Sequence, residues 1–186
     1  MRSKRNLHPG KKVVLKAPTM ADLEDLHRMY ADPRTWWNRP NHRHLNMDHT
    51  RIMLESWIED WKRDDIGYWV MRERNGAFVG AGGIRRRATM WNMSYSIMPG
   101  QWHRGYATYV ARCATLAARR FDGTAPIFLT TLAKNLAACL IADKLDFVVV
   151  RNDFDLLADA EPRRIYADRP VYDEEIRTYL DSKEIE

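Results

Sequence analysis

Apolar residues recur along this chain at two periods. Residues 12–16 form a short apolar run that predicts a first strand. Thr19 then opens a helix, with Asp22 three places on as a capping box, and Leu23, Leu26, Met29 and Tyr30 form a stripe at helical spacing. Asp32-Pro33 ends it. Residues 34–46 carry no period and hold adjacent tryptophans, Pro40 and two histidines, the mark of a loop. Asp48 is placed to cap a second helix reaching about Arg63, with Met53, Leu54, Trp57, Ile58 and Trp61 on its buried face.

Strand patterns follow. Residues 68–74 lead into Asn75-Gly76, a strong hairpin signal, and residues 77–84 return. Gly80, Gly82 and Gly83 in the returning strand predict a bulge or a close backbone approach. The three arginines at 85–87 predict a solvated turn. Residues 90–98 alternate, with Trp91, Met93, Tyr95 and Ile97 on one face and Asn92, Ser94 and Ser96 on the other. A third helix is predicted over about 105–121, with Tyr106, Val110, Cys113, Ala114, Ala117 and Phe121 inward. Residues 127–132 form a buried strand, 135–145 a fourth helix, 147–150 a further strand, 165–167 a last short one, and 171–180 a closing helix. This order predicts a mixed α/β (α+β) domain with a partly antiparallel sheet. Residues 1–11 are expected to be a basic arm and 12–186 a single domain.

A chain of 186 residues that is 45 % hydrophobic can bury a sizeable core, which excludes wholesale disorder. No apolar run reaches the ~18–20 residues of a membrane helix, and the start lacks a secretion signal, so no membrane partner is expected. Cys113 and Cys139 make no disulfide framework, which favours a reducing cytoplasm, and no spacing supports a metal site. The formal charge of +5 is unevenly spread. Residues 1–16 hold six basic groups and no acid, residues 85–144 hold nine basic against two acidic, and residues 145–186 hold six basic against twelve acidic. The basic middle is too apolar to be a tail, so its charge bears on a folded site.

The segment 98–108 carries the chemistry. A strand ends at Pro99, a basic turn follows, and a helix starts at Gly105. A helix start exposes unpaired N–H groups at the positive end of the dipole, and Gly105 lets a ligand approach without a Cβ in the way. Strand, turn and helix of this content form an anion site, most often for phosphate.

Pro99-Gly-Gln-Trp-His-Arg-Gly-Tyr-Ala-Thr108 resembles the acetyl-coenzyme A loop of the GNAT superfamily, closest to the branch containing the ribosomal-protein N-terminal acetyltransferases. Asp32-Pro33, Trp57, residues 67–70, Gly80-x-Gly-Gly83, Asn135-x-x-Ala138, Lys144-Leu145 and residues 166–170 sit where that branch has similar residues. The resemblance implies a GNAT fold, a mostly antiparallel sheet of about six to seven strands splayed between strands 4 and 5 and flanked by helices. It implies acetyl-coenzyme A as acyl donor in that splay, no metal, and direct attack by a primary amine of a small molecule or peptide. It places the coenzyme on Met98, Trp102, His103, Arg104, Gly105, Tyr106, Ala107, Thr108, Asn135 and Ala138. It places carbonyl polarisation at a strand bulge around Tyr95 and Ile97, with Asn135 the third catalytic candidate. A homodimer is also implied.

Four positions depart from the family pattern: His103 for a glycine, Ala138 for a serine, Ala142 for a tyrosine, and Asp146 for a glycine that Asp replaces with tolerance of left-handed backbone. With the basic residues of 1–16 and 85–144 they motivate an alternative, aminoacyl transfer from a charged transfer RNA. A non-catalytic acyl-coenzyme A-binding domain is the second alternative. Trp36, Trp37, Tyr68 and Trp69 are candidates for the acceptor pocket; Tyr68 and Trp69 point to opposite faces of one strand, so at most one lines it.

Overall fold

The computed structural model describes residues 13–155 and 160–184. The basic arm expected at 1–11 lies outside them. Strand β1 (Val13–Lys16) precedes helices α1 (Leu23–Tyr30) and α2 (Met47–Asp64). An antiparallel run follows, β2 (Tyr68–Glu73), β3 (Phe78–Arg87) and β4 (Met90–Ile97), and then α3 (Tyr106–Asp122), β5 (Ile127–Leu132) and α4 (Leu136–Lys144). A hairpin of β6 (Val148–Asp155) and β7 (Glu161–Ala167) leads to α5 (Asp173–Glu184). Seven strands form one sheet in the order β1-β2-β3-β4-β5-β7-β6, in which β4 and β5 are parallel and every other pair antiparallel.

The side-chain periods sort the two faces. Trp91, Met93, Ile127, Leu129 and Tyr166 pack under α3 and α4, whose small residues Ala111, Ala114, Ala118 and Ala142 let the helices lie close. Tyr68, Val70, Phe78 and Ala81 pack under α1 and α2, where Leu26, Met29 and Leu54 are fully buried. Met90, Phe128, Ile165 and Ala167 take α5 on that same side through Ile176 and Tyr179.

Several expectations need correction. Asn46, not Asp48, caps α2: its Oδ1 accepts from the His49 N–H at 3.1 Å, and the helix starts at Met47. The arginines 85–87 are not a solvated turn. They continue β3 in register with Asn92, Trp91 and Met90, and the turn is confined to two residues, with Ala88 at φ 48°. Strand formation there is sustained by partners. Arg85 is buried against Asp60 of α2 and bonds Ser56 at 3.0 Å, and Arg86 lies over the Trp91 ring and on Asp122 at 3.0 Å. The inward face of α3 is Tyr106, Val110, Ala111, Ala114, Thr115 and Ala118; Phe121 is exposed and Cys113 only half-buried. β6 and β7 are longer than their apolar cores predict because charged residues pair across them, as Arg163 does with Asp153. Asp146 does adopt the left-handed backbone expected of it, at φ 59°.

Candidate active site

The sheet forks. β4 and β5 pair only at Trp91–Ile127 and Asn92–Phe128, with the Trp91 N–H donating to Pro126 O at 2.9 Å. Beyond Asn92, β4 stays with β3 and β5 stays with β7, and a notch opens between them. Alternation turns the backbone N–H of Met93, Tyr95 and Ile97 toward that notch, on the same edge as Trp91. The expected bulge at Tyr95–Ile97 is absent. β4 keeps an unbroken register with β3 from Met90 to Ile97, and the irregularity of this region lies on the other edge of β3, where Met71 and Arg72 of β2 face Gly80 and Phe78 and Val79 is the extra residue, next to the glycines that predict a bulge. Splaying alone, without a bulge, is enough to free the edge groups.

The notch opens onto the start of α3. A 3-10 turn at Pro99–Gln101 leads to Gly105, which caps the helix at φ 82°, a conformation other L residues adopt only with strain. The first helical bond runs from Tyr109 N–H to Gly105 O at 3.0 Å, so the N–H groups of Tyr106, Ala107 and Thr108 precede it and point out of the helix end. His103 and Arg104 are exposed on this turn, His103 at φ 61°. Trp102 has a second function: its indole Nε1 donates to Ile97 O at 2.7 Å, tying the turn to the end of β4. The Tyr106 side chain points away from the mouth and donates from its hydroxyl to Glu73 Oε1 at 2.7 Å. Glu73 also lies 3.8 Å from Arg104. No local pattern marks Glu73, whose role depends on β2 ending beside α3.

On the far wall, Asn135 caps α4, its Oδ1 accepting from Ala138 N–H at 3.3 Å. The catalytic candidate Asn135 is thus spending its carbonyl on the helix. Met98 turns its side chain to the α1/α2 cluster. Tyr95 lies on the α3/α4 face beside Ala107 of the first turn of α3, and its hydroxyl is buried with no hydrogen-bond partner among the described residues. Gln101 Oε1 is likewise buried and unpartnered. A turn free of side chains at its glycine, a helix end with open donors and two orphaned polar atoms beside a notch fit an extended, phosphorylated acyl carrier.

The opposite face of the fork is polar and aromatic. Tyr68 accepts from Asn92 Nδ2 at 2.7 Å, and Tyr179 of α5 donates to Asn92 Oδ1 at 2.6 Å and meets Thr130 Oγ1 at 3.1 Å. Burial pushes the Tyr68 and Tyr179 phenols up to about 12. Further out, Tyr30 bonds Ser96 and stacks on His44 with ring centroids 4.9 Å apart, and burial holds this phenol up at about 12 as well. Trp36 donates to Tyr30 O at 2.7 Å and stacks on His42 and His44. Arg39, in the loop before α2, reaches Asp155 at the end of β6 and so carries this loop across the fork. The four acceptor candidates therefore separate. Trp36 and Tyr68 are on this face, Trp37 is exposed to solvent, and Trp69 lies on the α3/α4 face against Tyr95 and Trp61. Among the described residues no His, Cys, Asp or Glu cluster could hold a metal, and no helix is long and apolar enough to cross a membrane.

A sheet forked between two parallel neighbours, with a helix N-terminus at the mouth of the fork, defines a transferase that takes its acyl group from a coenzyme A thioester. The chain belongs to the GNAT family: the family model described as an acetyltransferase (GNAT) domain matches residues 12–148. It is an acetyl-coenzyme A-dependent acetyltransferase. Solved structures share the fold at low identity. A GNAT-family acetyltransferase from Bordetella pertussis is 16 % identical, with 84 % of this chain and 94 % of that one covered, at a TM-score of 0.71. RimL, a ribosomal L7/L12 α-N-protein acetyltransferase in complex with coenzyme A, is 14 % identical over 86 % and 94 %, at 0.73. A spermidine N-acetyltransferase SpeG chimera of Vibrio cholerae and hSSAT is 13 % identical over 89 % and 98 %, at 0.70. No curated protein matches the chain at a significant level.

Proposed function

We propose that the protein acetylates a primary amine of a small molecule or peptide, with the amine entering from the Tyr30, Trp36 and Tyr68 side of the fork and the thioester lying in the notch. The observation that supports this most is the fork itself, where β4 parts from β5 after Asn92 and leaves the Tyr95 and Ile97 edge open beside the start of α3. Acetyl-coenzyme A brings the activated acyl group. The N–H groups of Tyr95 and Ile97 are preorganised donors for the charge that develops on the acyl oxygen, the kind of contact worth about 10²–10³ in rate where it has been removed elsewhere. The N–H groups of Tyr106, Ala107 and Thr108, with Arg104 and His103, receive the pyrophosphate, and Trp102 fixes the turn that presents them. Gly105 keeps that approach clear. Asn135 and Ala138 shape the far wall.

With their phenols near 12, Tyr30 and Tyr68 stay neutral at physiological pH and serve as hydrogen-bond donors, not as bases. The amine loses its proton to water ordered along Ser94 and Ser96, which share the acceptor face of β4. Two free thiols, Cys113 and Cys139, support a cytoplasmic setting. Calorimetric titration with acetyl-coenzyme A tests the donor: saturable binding is expected, and its absence in folded protein would sink the reading. An amine panel with detection of released thiol then identifies the acceptor class.

A further inference from the structure

Among the described residues, the Tyr95 hydroxyl is a polar group buried without a hydrogen-bond partner at the place where the chemistry is expected. Such a group costs stability unless a ligand completes it. Its surroundings are shaped to keep it so. Gly82 lies opposite Tyr95 in the β3–β4 register, and a methyl group there would stand 2.6 Å from Tyr95 Cβ, so the ring lies over bare backbone. Ala107 from α3, Trp69 from β2 and the core of α4 pack about it. The titratable neighbours are Cys139 of α4 and Tyr166 of β7, both across the notch, with Arg164 beyond Tyr166. Burial raises the phenol well above its ordinary value, which keeps it protonated.

The direction of Tyr95 assigns its role. Tyr30, Ser96 and Tyr68 occupy the face from which the amine is expected, whereas Tyr95 lies on the α3/α4 face, the side of the helix end that anchors the coenzyme. The leaving sulfur is on the coenzyme side. We propose that the Tyr95 hydroxyl is a catalytic residue that donates a hydrogen bond to the departing thiolate of coenzyme A. This rests on the acetyl-coenzyme A reading above. The amine nitrogen bonds to the acyl carbon, the C–S bond breaks, and its electron pair leaves on sulfur. The Tyr95 O–H bonds to that sulfur while the nitrogen sheds a proton to the water on the acceptor face, and the thiolate takes up one proton from solvent to leave as thiol. The position on α4 where a tyrosine can stand in relatives is Ala142 here, buried and without a donor.

The test is Tyr95→Phe, which removes the hydroxyl and keeps the ring. Binding of coenzyme A, desulfo-coenzyme A and acetyl-coenzyme A is measured by calorimetry from pH 6.5 to 9, with thermal unfolding alongside. In the natural protein the preference for coenzyme A over desulfo-coenzyme A should grow with pH as the thiolate forms, and Tyr95→Phe should lose roughly ten- to hundredfold of it. Desulfo- and acetyl-coenzyme A should bind the variant as before. The unfolding midpoint should stay or rise, because no hydrogen bond is lost. An unchanged preference in Tyr95→Phe with all three ligands bound overturns this role alone. Equal weakening of all three ligands with a lowered midpoint also overturns it, in favour of a packing role. Failure of the natural protein to bind any of the three overturns the donor reading and this role with it.

Discussion

Tyr179 of α5 donates to Asn92 of β4 at 2.6 Å, and Asn92 is the last residue at which β4 still pairs with β5. The closing helix is thereby bonded to the apex of the fork. The Tyr179 ring also stacks on Phe128, the β5 partner of Asn92, with centroids 4.4 Å apart and planes 13° from parallel. Tyr179→Phe keeps this stack and strands a buried amide oxygen. It should cost about 1–3 kcal/mol, read as a lower urea midpoint at unchanged slope. Tyr179→Ala removes the stack as well and should cost about 3–5 kcal/mol. Equal stability of Tyr179→Phe and the natural protein would show that the Tyr68–Asn92–Tyr179–Thr130 chain does not hold the apex.

A second buried link, between Asp60 of α2 and Arg85 of β3, fixes the helix that carries the acceptor side. Both side chains are buried, and the Arg85 guanidinium also lies over the Tyr68 ring. Removing one partner of a buried pair leaves the other charge uncompensated and costs about 3–5 kcal/mol. Asp60→Asn should therefore destabilise strongly in guanidinium chloride. The double variant Asp60→Leu with Arg85→Met should recover most of the loss, since apolar replacement of a buried pair is often neutral. A double variant no better than the single one would argue that Ser56 and Tyr68, not Asp60, hold Arg85.

These two links mark the limit of what the sequence makes legible. Local periods locate the helices and most strands: the Leu23, Leu26, Met29 and Tyr30 stripe is buried as its spacing requires. The turn 99–108 is legible because its chemistry is contiguous, a proline, a basic turn and a glycine before a helix. The arginines 85–87 are not, because polar residues predict solvent unless a distant carboxylate is known to meet them. Asp60 is 25 positions earlier, on a helix whose pattern predicts it to be solvated. Tyr179 and Glu73 are missed for the same reason, since their partners are fixed only when the sheet order is. The splay follows from resemblance; its register, free of a bulge, does not.

The loop before α2 should confer acid sensitivity. His44 is stacked on Tyr30 and bonded to Thr50 Oγ1 at 2.9 Å; burial first, and the neighbouring His49, His27 and His42 next, bring its pKa down to about 4. An unfolded histidine titrates near ~6.5. Between these values the unfolded chain binds the proton and the folded one does not, so stability falls as pH drops from about 6.5 to 4 and the contribution is complete below that. Unfolding midpoints measured across pH 7 to 4 should decline less in His44→Gln than in the natural protein. Parallel decline in the two would place the acid sensitivity elsewhere.

Gly105 and Gly100 provide a matched pair on the coenzyme turn. Gly105 holds φ 82° at the helix cap, whereas Gly100 has nothing within 4 Å of an added Cβ and no left-handed backbone. A side chain at Gly105 costs about 1–2 kcal/mol of backbone strain. It also puts a Cβ into the approach to the open N–H groups of α3. Gly105→Ala should weaken acetyl-coenzyme A binding by about tenfold or more, the equivalent of ~1.4 kcal/mol, while Gly100→Ala leaves it within twofold. The comparison separates this turn from a general sensitivity of the loop, because both substitutions add the same methyl group five residues apart. Equal binding by the two variants would mean that the phosphates do not rest on the α3 N-terminus, and the donor site would have to be sought along another part of the notch.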